Sequence, residues 1–174
     1  METIEELRKQ FPEELCDAED KRRNEQQARL LLACLHIKGE PVTAMKLEDA
    51  RRVISAAEKK AREIGQPMNI AVADQGGNIV AHVRMDNAWI GSIDISMKKA
   101  YTSRAFDIET KELAKHSQSG GEFFGVHVSN NGKIMIFAGG IPLKRDGQVV
   151  GAIGFSGGSG DQDHAVAAAG AAAF

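Results

Sequence analysis

The sequence has no excess charge of either sign. Its 174 residues carry a net charge of −2 and a pI near 6.2, so no electrostatic attraction favours nucleic acid or an anionic membrane as a partner. Long hydrophobic runs are also missing, since nothing approaches the roughly 18 uninterrupted apolar residues of a membrane span. The opening stretch, METIEELRKQ, is acidic where a secretory signal would be basic and then apolar. We therefore expect a cytoplasmic protein with no nucleic-acid partner and no membrane partner.

Cysteine is nearly absent. The two cysteines, Cys16 and Cys34, are too few and too far from other ligands for a disulfide framework or a zinc knuckle. Neither an HExxH pattern nor a closely spaced cysteine pair is present, so nothing supports a catalytic zinc. We expect both thiols to be buried or idle.

The composition changes sharply near Gly39-Glu40-Pro41. Before this point the chain is highly charged, and its apolar residues keep a spacing of three to four, which predicts two amphipathic helices broken at Pro12. We interpret residues 1–45 as a helical extension that docks on the main domain or on a neighbouring subunit. Residues 46–174 are then the main domain, which is within the ordinary size of one domain.

The first half of the main domain predicts helices around one hairpin. Apolar spacing indicates a helix from Leu47 to Ile64, and Gly65 ends it. Residues 68–86 give two apolar strands joined at Gly76-Gly77, which is typical of a hairpin. A helix over residues 90–106 follows, and then a second, short helix that ends near residue 116.

The second half is rich in glycine, with 12 of the 18 glycines between Gly120 and Gly160. Three strand-like runs follow one another there: IMIFAGG, IPLKRDG and QVVGAIGFS. The Asp146-Gly147 turn predicts a hairpin between the last two. Together these patterns indicate an α+β domain in which helices lie on a sheet of five mostly antiparallel strands.

The glycine- and serine-rich run FSGGSG, residues 155–160, raises the possibility of a phosphate cradle. No Gly-Lys-Ser/Thr follows it, and a Rossmann pattern would need glycine where Asp163 stands. Ser159 and Gln162 instead have the spacing of a capping box, so the run is expected to start a helix. Residues 154–158 spell Gly-x-Ser-x-Gly, but too few residues follow to supply the acid and histidine of an α/β-hydrolase.

Three stretches in order resemble one family. They are AVADQGGNIVAHVRMDNAW, SIDISMKKAYTSRAF, and the long run from FFGVHVSNN through GGIPLKRDG to GGSGDQDHAVAAAG. Over about residues 46–174 the chain resembles the GlcG/HbpS-like family, which includes the C-terminal domain of PduO-type proteins. The resemblance implies a profilin- or PAS-like fold with a five-stranded antiparallel sheet, symmetric homo-oligomers, and haem binding as in several members.

The resemblance also carries over motif by motif. Its Arg-Met-Asp turn matches residues 84–86, and its Lys-Ala-Tyr-Thr helix matches residues 99–102. Its Gly-Gly-Ile-Pro strand start matches residues 139–142, and its Ser-Gly-Gly turn with the following Gln-Asp matches residues 156–158, 162 and 163. The match is looser at residues 124–131, where His127 replaces the apolar or amide residue that the family pattern favours.

If the chain binds haem, its five histidines are the first candidates for the iron ligand, because imidazole is the commonest axial group. His127 lies between two valines on a predicted strand and closely follows two phenylalanines, so it is the preferred metal ligand. His82 is a second candidate on the face that Arg84 shares, although a packed or solvated strand histidine is the favoured interpretation. His116 fits a helix end, where a cation suits the dipole.

We expect the other two histidines, His36 and His164, to be surface residues. His36 belongs to the extension, and His164 follows acidic residues at the start of the last helix.

A polar cluster on the helix over residues 90–106 gives the remaining candidates. Lys99, Tyr101 and Thr102 could hold carboxylates such as haem propionates, together with Arg84, while a solvated helix face is the alternative interpretation. The same residues leave a second function open. An oligomeric enzyme acting on a small hydroxy or keto acid could use Lys99 or Tyr101 as acid or base, with Asp74 or Asp86 as partner.

Overall fold

The computed structural model of the protein describes residues 44–174. The predicted extension, residues 1–45, lies outside the described residues apart from its last two. Within 44–174, no helix combines the length and apolar character that crossing a membrane requires.

One antiparallel sheet organises the fold. Its strands are β1 (Asn69–Asp74), β2 (Ile79–Arg84), β3 (Gly140–Arg145) and β4 (Gln148–Ser156), in the spatial order β2-β1-β4-β3. Both predicted hairpins are confirmed, because β1 pairs with β2 and β3 pairs with β4. The left-handed Asp146 and Gly147 form the second turn.

Within residues 44–174, four helices of eight or more residues surround the sheet: α1 (Leu47–Glu63), α2 (Gly91–Phe106), α3 (Thr110–Ser117) and α4 (Gly160–Ala171). Each corresponds to a predicted helix. The capping box that starts α4 is confirmed as well: the Gln162 amide donates to the Ser159 hydroxyl, and the Ser159 amide donates to Gln162 Oε1.

The two faces of the sheet carry side chains of different size. Ile70, Val72 and Phe155 point to the face covered by α1 and α4 and form the main core with Val53 and Val166. The opposite face is built from Ala71 and Ala73 of β1 with glycines of β3 and β4, and α2 packs on it through residues such as Ala100. Helices therefore cover both faces of the sheet.

Glycines at two positions of this second face let α2 approach the sheet closely. A Cβ at Gly154 would lie 2.1 Å from the carbonyl oxygen of Ser96, and one at Gly140 would lie 2.6 Å from that of Lys99. Only glycine at these two positions allows the helix backbone to lie against the strands.

The expectation of five strands is not met within residues 44–174, where the sheet has four. The run IMIFAGG is not a strand before Gly140, and His127 lies in a 3₁₀ turn (Val126–Val128) instead of a strand. Backbone conformation explains the difference. Six residues between α3 and β3 have positive φ, which an extended strand does not tolerate: Gly120, Gly125, Asn130, Asn131, Gly132 and Gly139.

Candidate functional site

An exposed apolar stretch lies between α3 and β3. We call residues 123–128 the aromatic segment. Phe123, Phe124 and Val128 are 47%, 61% and 72% exposed, which is unusual for large apolar side chains in succession. Gly125, with φ of 96°, turns the chain in the middle of the segment. The segment therefore presents an apolar surface that no described residue covers.

His127 places an imidazole on this surface. Its ring meets that of Phe124 edge to face, with 6.1 Å between the centroids. Its Nδ1 is buried and has no hydrogen-bond partner among residues 44–174. The imidazole of His127 therefore has a ring nitrogen that the described residues leave without a hydrogen bond.

Tyr101 of α2 forms a hydrogen bond just beyond the end of the aromatic segment. Its hydroxyl donates to Asn130 Oδ1 over 3.3 Å, and Asn130 follows His127 by three residues. The ammonium of Lys133 lies 5.2 Å from the centre of the Tyr101 ring, a cation–π distance. Of the predicted α2 residues, Tyr101 is the one that the structure brings to the neighbourhood of His127.

Thr102 has a different role from the one predicted. It is fully buried, and its hydroxyl accepts from the backbone amide of Met135 over 2.9 Å and lies within hydrogen-bond distance of the carbonyl oxygens of Lys98 and Lys133. Thr102 therefore anchors the chain that returns from the aromatic segment to β3.

Lys99 is also buried, and it forms an ion pair through the interior. Its Nζ lies 2.6 Å from Asp163 Oδ2, with Lys99 fully shielded from solvent. Burial lowers the pKa of Lys99 and raises the pKa of Asp163, and in each case the partner's charge opposes the shift. Nζ also lies 4.5 Å from the centre of the Phe137 ring. The solvated helix face considered for Lys99 is wrong.

His82 and Arg84 lie on strand β2. Burial lowers the pKa of His82, and its buried Nε2 has no hydrogen-bond partner among the described residues. Arg84 is exposed and lines a recess with Glu58 and Arg62 of α1. Within residues 44–174, neither His82 nor Arg84 shares a hydrogen bond, ion pair or ring contact with His127.

His116 lies near the end of a helix, as expected, whereas His164 is less exposed than expected. His116 is exposed near the end of α3, 6.1 Å from the ring of Phe123. We expected His164 at the surface, but it is half-buried. Its Nε2 lies 2.8 Å from the ammonium of Lys111 on α3.

Asp74, one predicted acid–base partner, binds the amides of Gly76 and Asn78 in its own turn. It has no recorded contact with Lys99, whose partner is Asp163. Within residues 44–174, no hydrogen bond or ion pair joins Lys99 or Tyr101 to Asp74 or Asp86, although the turn that contains Asp74 lies beside the Tyr101 ring.

Two contributors to this region were not predicted as site residues: Asn130 and Lys133. The Asn-Asn-Gly sequence at 130–132 is a turn signal that could have removed the predicted strand and brought Asn130 to attention. Nothing in the local sequence indicates the approach of Lys133 to Tyr101, because the two residues are joined only by the tertiary fold.

The fold and the aromatic segment define a small α+β domain that displays an imidazole on an apolar surface. The model of the family described as "Haem degrading protein HbpS-like" matches residues 45–172, and the chain belongs to this family. The family assignment made from the sequence motifs is confirmed.

Individual relatives agree with that assignment. The chain is 38% identical over 130 residues to an uncharacterized 15.0 kDa protein in the dhaT-dhaS intergenic region of Citrobacter freundii, covering 75% of this chain and 92% of that one. It is 33% identical over 141 residues to the corrinoid adenosyltransferase PduO of Salmonella typhimurium, covering 80% of this chain but only 42% of PduO. The solved structure of a PduOC:haem complex superposes with a TM-score of 0.73 at 32% identity, covering 76% of this chain and 96% of that one.

Proposed function

We propose that this chain binds haem on the aromatic segment, with His127 as the axial ligand. The observation that carries the proposal is the imidazole of His127, whose Nδ1 has no hydrogen-bond partner among residues 44–174 and whose ring meets the exposed ring of Phe124. Bound haem would supply a redox-active iron, and the protein would supply the axial nitrogen and an apolar surface.

The residues present fit such a group. A porphyrin is flat and largely apolar, and the exposed side chains of Phe123, Phe124 and Val128 offer apolar area that is otherwise unfavourably solvated. The edge contact with Phe124 restricts the ring of His127, which lowers the entropy lost when iron binds. The family and the PduOC:haem complex support haem as the ligand.

Haem titration followed by visible absorption tests the proposal, because ligation by imidazole shifts the haem bands. His127→Ala should weaken haem binding by well over tenfold and alter the spectrum of any residual complex. His116→Ala is the matched control, since His116 also meets a phenylalanine ring at 6.1 Å but lies on α3. Unchanged affinity and spectrum in His127→Ala would reject this ligand, and a selective loss in His116→Ala or in His82→Ala would move the ligand to that residue.

We also propose that the protein is a cytoplasmic homo-oligomer. Trp89 and Ile90, which precede α2, are 66% and 75% exposed, and a subunit contact would remove this apolar surface from water. Light scattering coupled to gel filtration gives the mass of the particle directly. A monomeric mass at micromolar concentration would reject the oligomer, and an oligomer that Trp89→Glu dissociates would support a contact at this position.

A further inference from the structure

A small recess lies where the C-terminal half of α2 meets the β1–β2 turn. It measures about 180 Å³, and its lining residues come from the turn and from α2: Gln75, Gly76, Gly77, Tyr101, Arg104 and Ala105. The turn fits closely against Tyr101, because a Cβ at Gly77 would lie 3.1 Å from the tyrosine ring. The tyrosine and Arg104 are the functional groups that α2 contributes to this recess.

Arg104 uses only part of its hydrogen-bonding capacity. Its Nη1 donates to the carboxylate of Asp107, but its Nε is buried and has no acceptor among residues 44–174. A guanidinium has five N–H donors in one plane, arranged to bind two oxygens at once. A buried guanidinium donor without an acceptor is costly, and a small shift of the side chain towards a bound anion would remove that cost.

The charge around Tyr101 favours a negatively charged ligand. Lys133 lies over the tyrosine ring at 5.2 Å, and no ion-pair partner is recorded for it in the part of the chain that the structure describes. The turn also contributes one acid, Asp74, whose Oδ1 accepts from the amides of Gly76 and Asn78. Arg104 and Lys133 place two cations beside Tyr101, with Asp107 paired to Arg104 and Asp74 bonded to the amides of its own turn.

We propose that the recess at Arg104 and Tyr101 is a carboxylate-binding site. A carboxylate matches the planar donors of Arg104, and a recess of about 180 Å³ admits a short acid chain but not a macrocycle. Tyr101 also donates to Asn130, which lies two residues beyond the aromatic segment. Where the carboxylate is a haem propionate, the inference rests on the proposed haem binding; a free short-chain acid is the other source of the same chemistry.

The first experiment uses the single tyrosine of the chain, which is Tyr101. Protein labelled with 3-fluorotyrosine gives one ¹⁹F signal, and that signal reports directly on the recess. Added propionate should shift it in a saturable way, and Arg104→Gln should abolish saturation. Arg62→Gln is the control, because Arg62 is an exposed arginine of α1 that pairs only within its helix. Arg104→Lys keeps a cation for Asp107 while losing the planar fork, so it should fold normally and bind propionate weakly.

The second experiment distinguishes the two sources of the carboxylate. Haem and haem dimethyl ester differ only in whether the propionates are charged. If a propionate occupies the recess, Arg104→Gln should weaken haem about tenfold and leave the dimethyl ester unaffected. If propionate shifts the ¹⁹F signal but haem affinity is indifferent to Arg104→Gln, the ligand is a free acid.

The two proposals can fail separately. A wild-type protein that does not bind haem rejects the proposed function, and the propionate titration still decides the recess. The carboxylate site is rejected if wild type shows no saturable shift with propionate and Arg104→Gln binds haem as wild type does. It is also rejected if Arg62→Gln abolishes the effects as completely as Arg104→Gln, because the loss would then be non-specific.

Discussion

The ammonium of Lys99 and the carboxylate of Asp163 lie 2.6 Å apart, with 0% and 4% of their side chains exposed. The pair joins α2 to α4, which pack on opposite faces of the sheet, and the backbone amide of Gly158 donates to the second oxygen of Asp163. Gly139 makes room for the contact, because a Cβ there would lie 2.9 Å from Asp163 Cβ and 3.0 Å from Lys99 Nζ. Residues from three separate stretches of the sequence thus meet at one interior ion pair.

Removing one partner of this pair should be far worse than removing both. Lys99→Met leaves the buried carboxylate of Asp163 unpaired and should lower the free energy of unfolding by about 3–5 kcal/mol, whereas the double variant Lys99→Met/Asp163→Leu should recover most of that loss. Urea unfolding of the two single variants and the double variant measures the coupling. Additive losses would mean that the two charges do not depend on each other.

The close approach of α2 to the sheet gives a second prediction. Gly154→Ala would place a methyl group 2.1 Å from the carbonyl oxygen of Ser96 and 2.4 Å from the amide of Ala100. The helix must then move away, and we expect a loss of about 1–3 kcal/mol or more in unfolding free energy. Gly91→Ala, at the exposed start of the same helix with nothing within 4 Å, should be neutral or slightly stabilising. Equal effects of the two substitutions in thermal unfolding would contradict this packing.

The helices and strands that have a clear hydrophobic periodicity or a turn signal could be predicted from the sequence. Helices α1 to α4 have apolar spacing or capping residues, and both hairpins have glycine turns, so local signals were sufficient there. The region between α3 and β3 has no period, and left-handed residues and the bond from the Met135 amide to Thr102 determine its course. The local sequence does not predict the Met135–Thr102 hydrogen bond, because the two residues are 33 positions apart.

The site was harder to predict than the fold. Lys99 stands next to a second lysine, Lys98, which is only half-buried, and its partner Asp163 is 64 positions away, so the sequence could not show that the charge of Lys99 is buried and paired. The same limit applied to Tyr101, whose link to Asn130 spans 29 positions. The sequence motifs included Lys99 and Asp163, but only the fold shows that the two residues form a buried ion pair.

The stability of the haem-free protein should depend on pH through His82. Burial lowers the pKa of His82 below its ordinary value of 6.5, so the unfolded chain takes up this proton before the folded protein does. His82 therefore destabilises the fold progressively as the pH falls from 6.5 towards its folded pKa, and has no such effect above 6.5. His82→Gln should remove this contribution.

Urea unfolding of wild type and His82→Gln at pH values from about 7.5 down to about 5.5 measures the contribution of His82 to the free energy of unfolding. This range spans the titration of an ordinary imidazole. The stability of wild type relative to the variant should fall as the pH is lowered. A difference that stays constant across the range would show that His82 titrates alike in the folded and unfolded states.

The main domain should fold without residues 1–43. The compositional break near Gly39 supports this, and so does the start of the described chain. Met45 is only 8% exposed and belongs to the main core, and the backbone amide of Lys46 donates to Asp49 Oδ2 over 3.1 Å at the start of α1. A chain that begins at residue 44 keeps both contacts.

A cut three residues later supplies the control for this last prediction. A chain that begins at residue 47 loses the buried side chain of Met45 and the hydrogen bond from the Lys46 amide to the Asp49 carboxylate. Together these losses should lower the free energy of unfolding by about 2–5 kcal/mol and the Tm by several degrees or more. Circular dichroism should show a cooperative melt for residues 44–174 and a clearly lower one for residues 47–174. Loss of cooperativity in the longer chain would mean that the extension is part of the folding unit. Equal melting of the two truncated chains would instead show that Met45 and the Lys46 contact contribute little to the core.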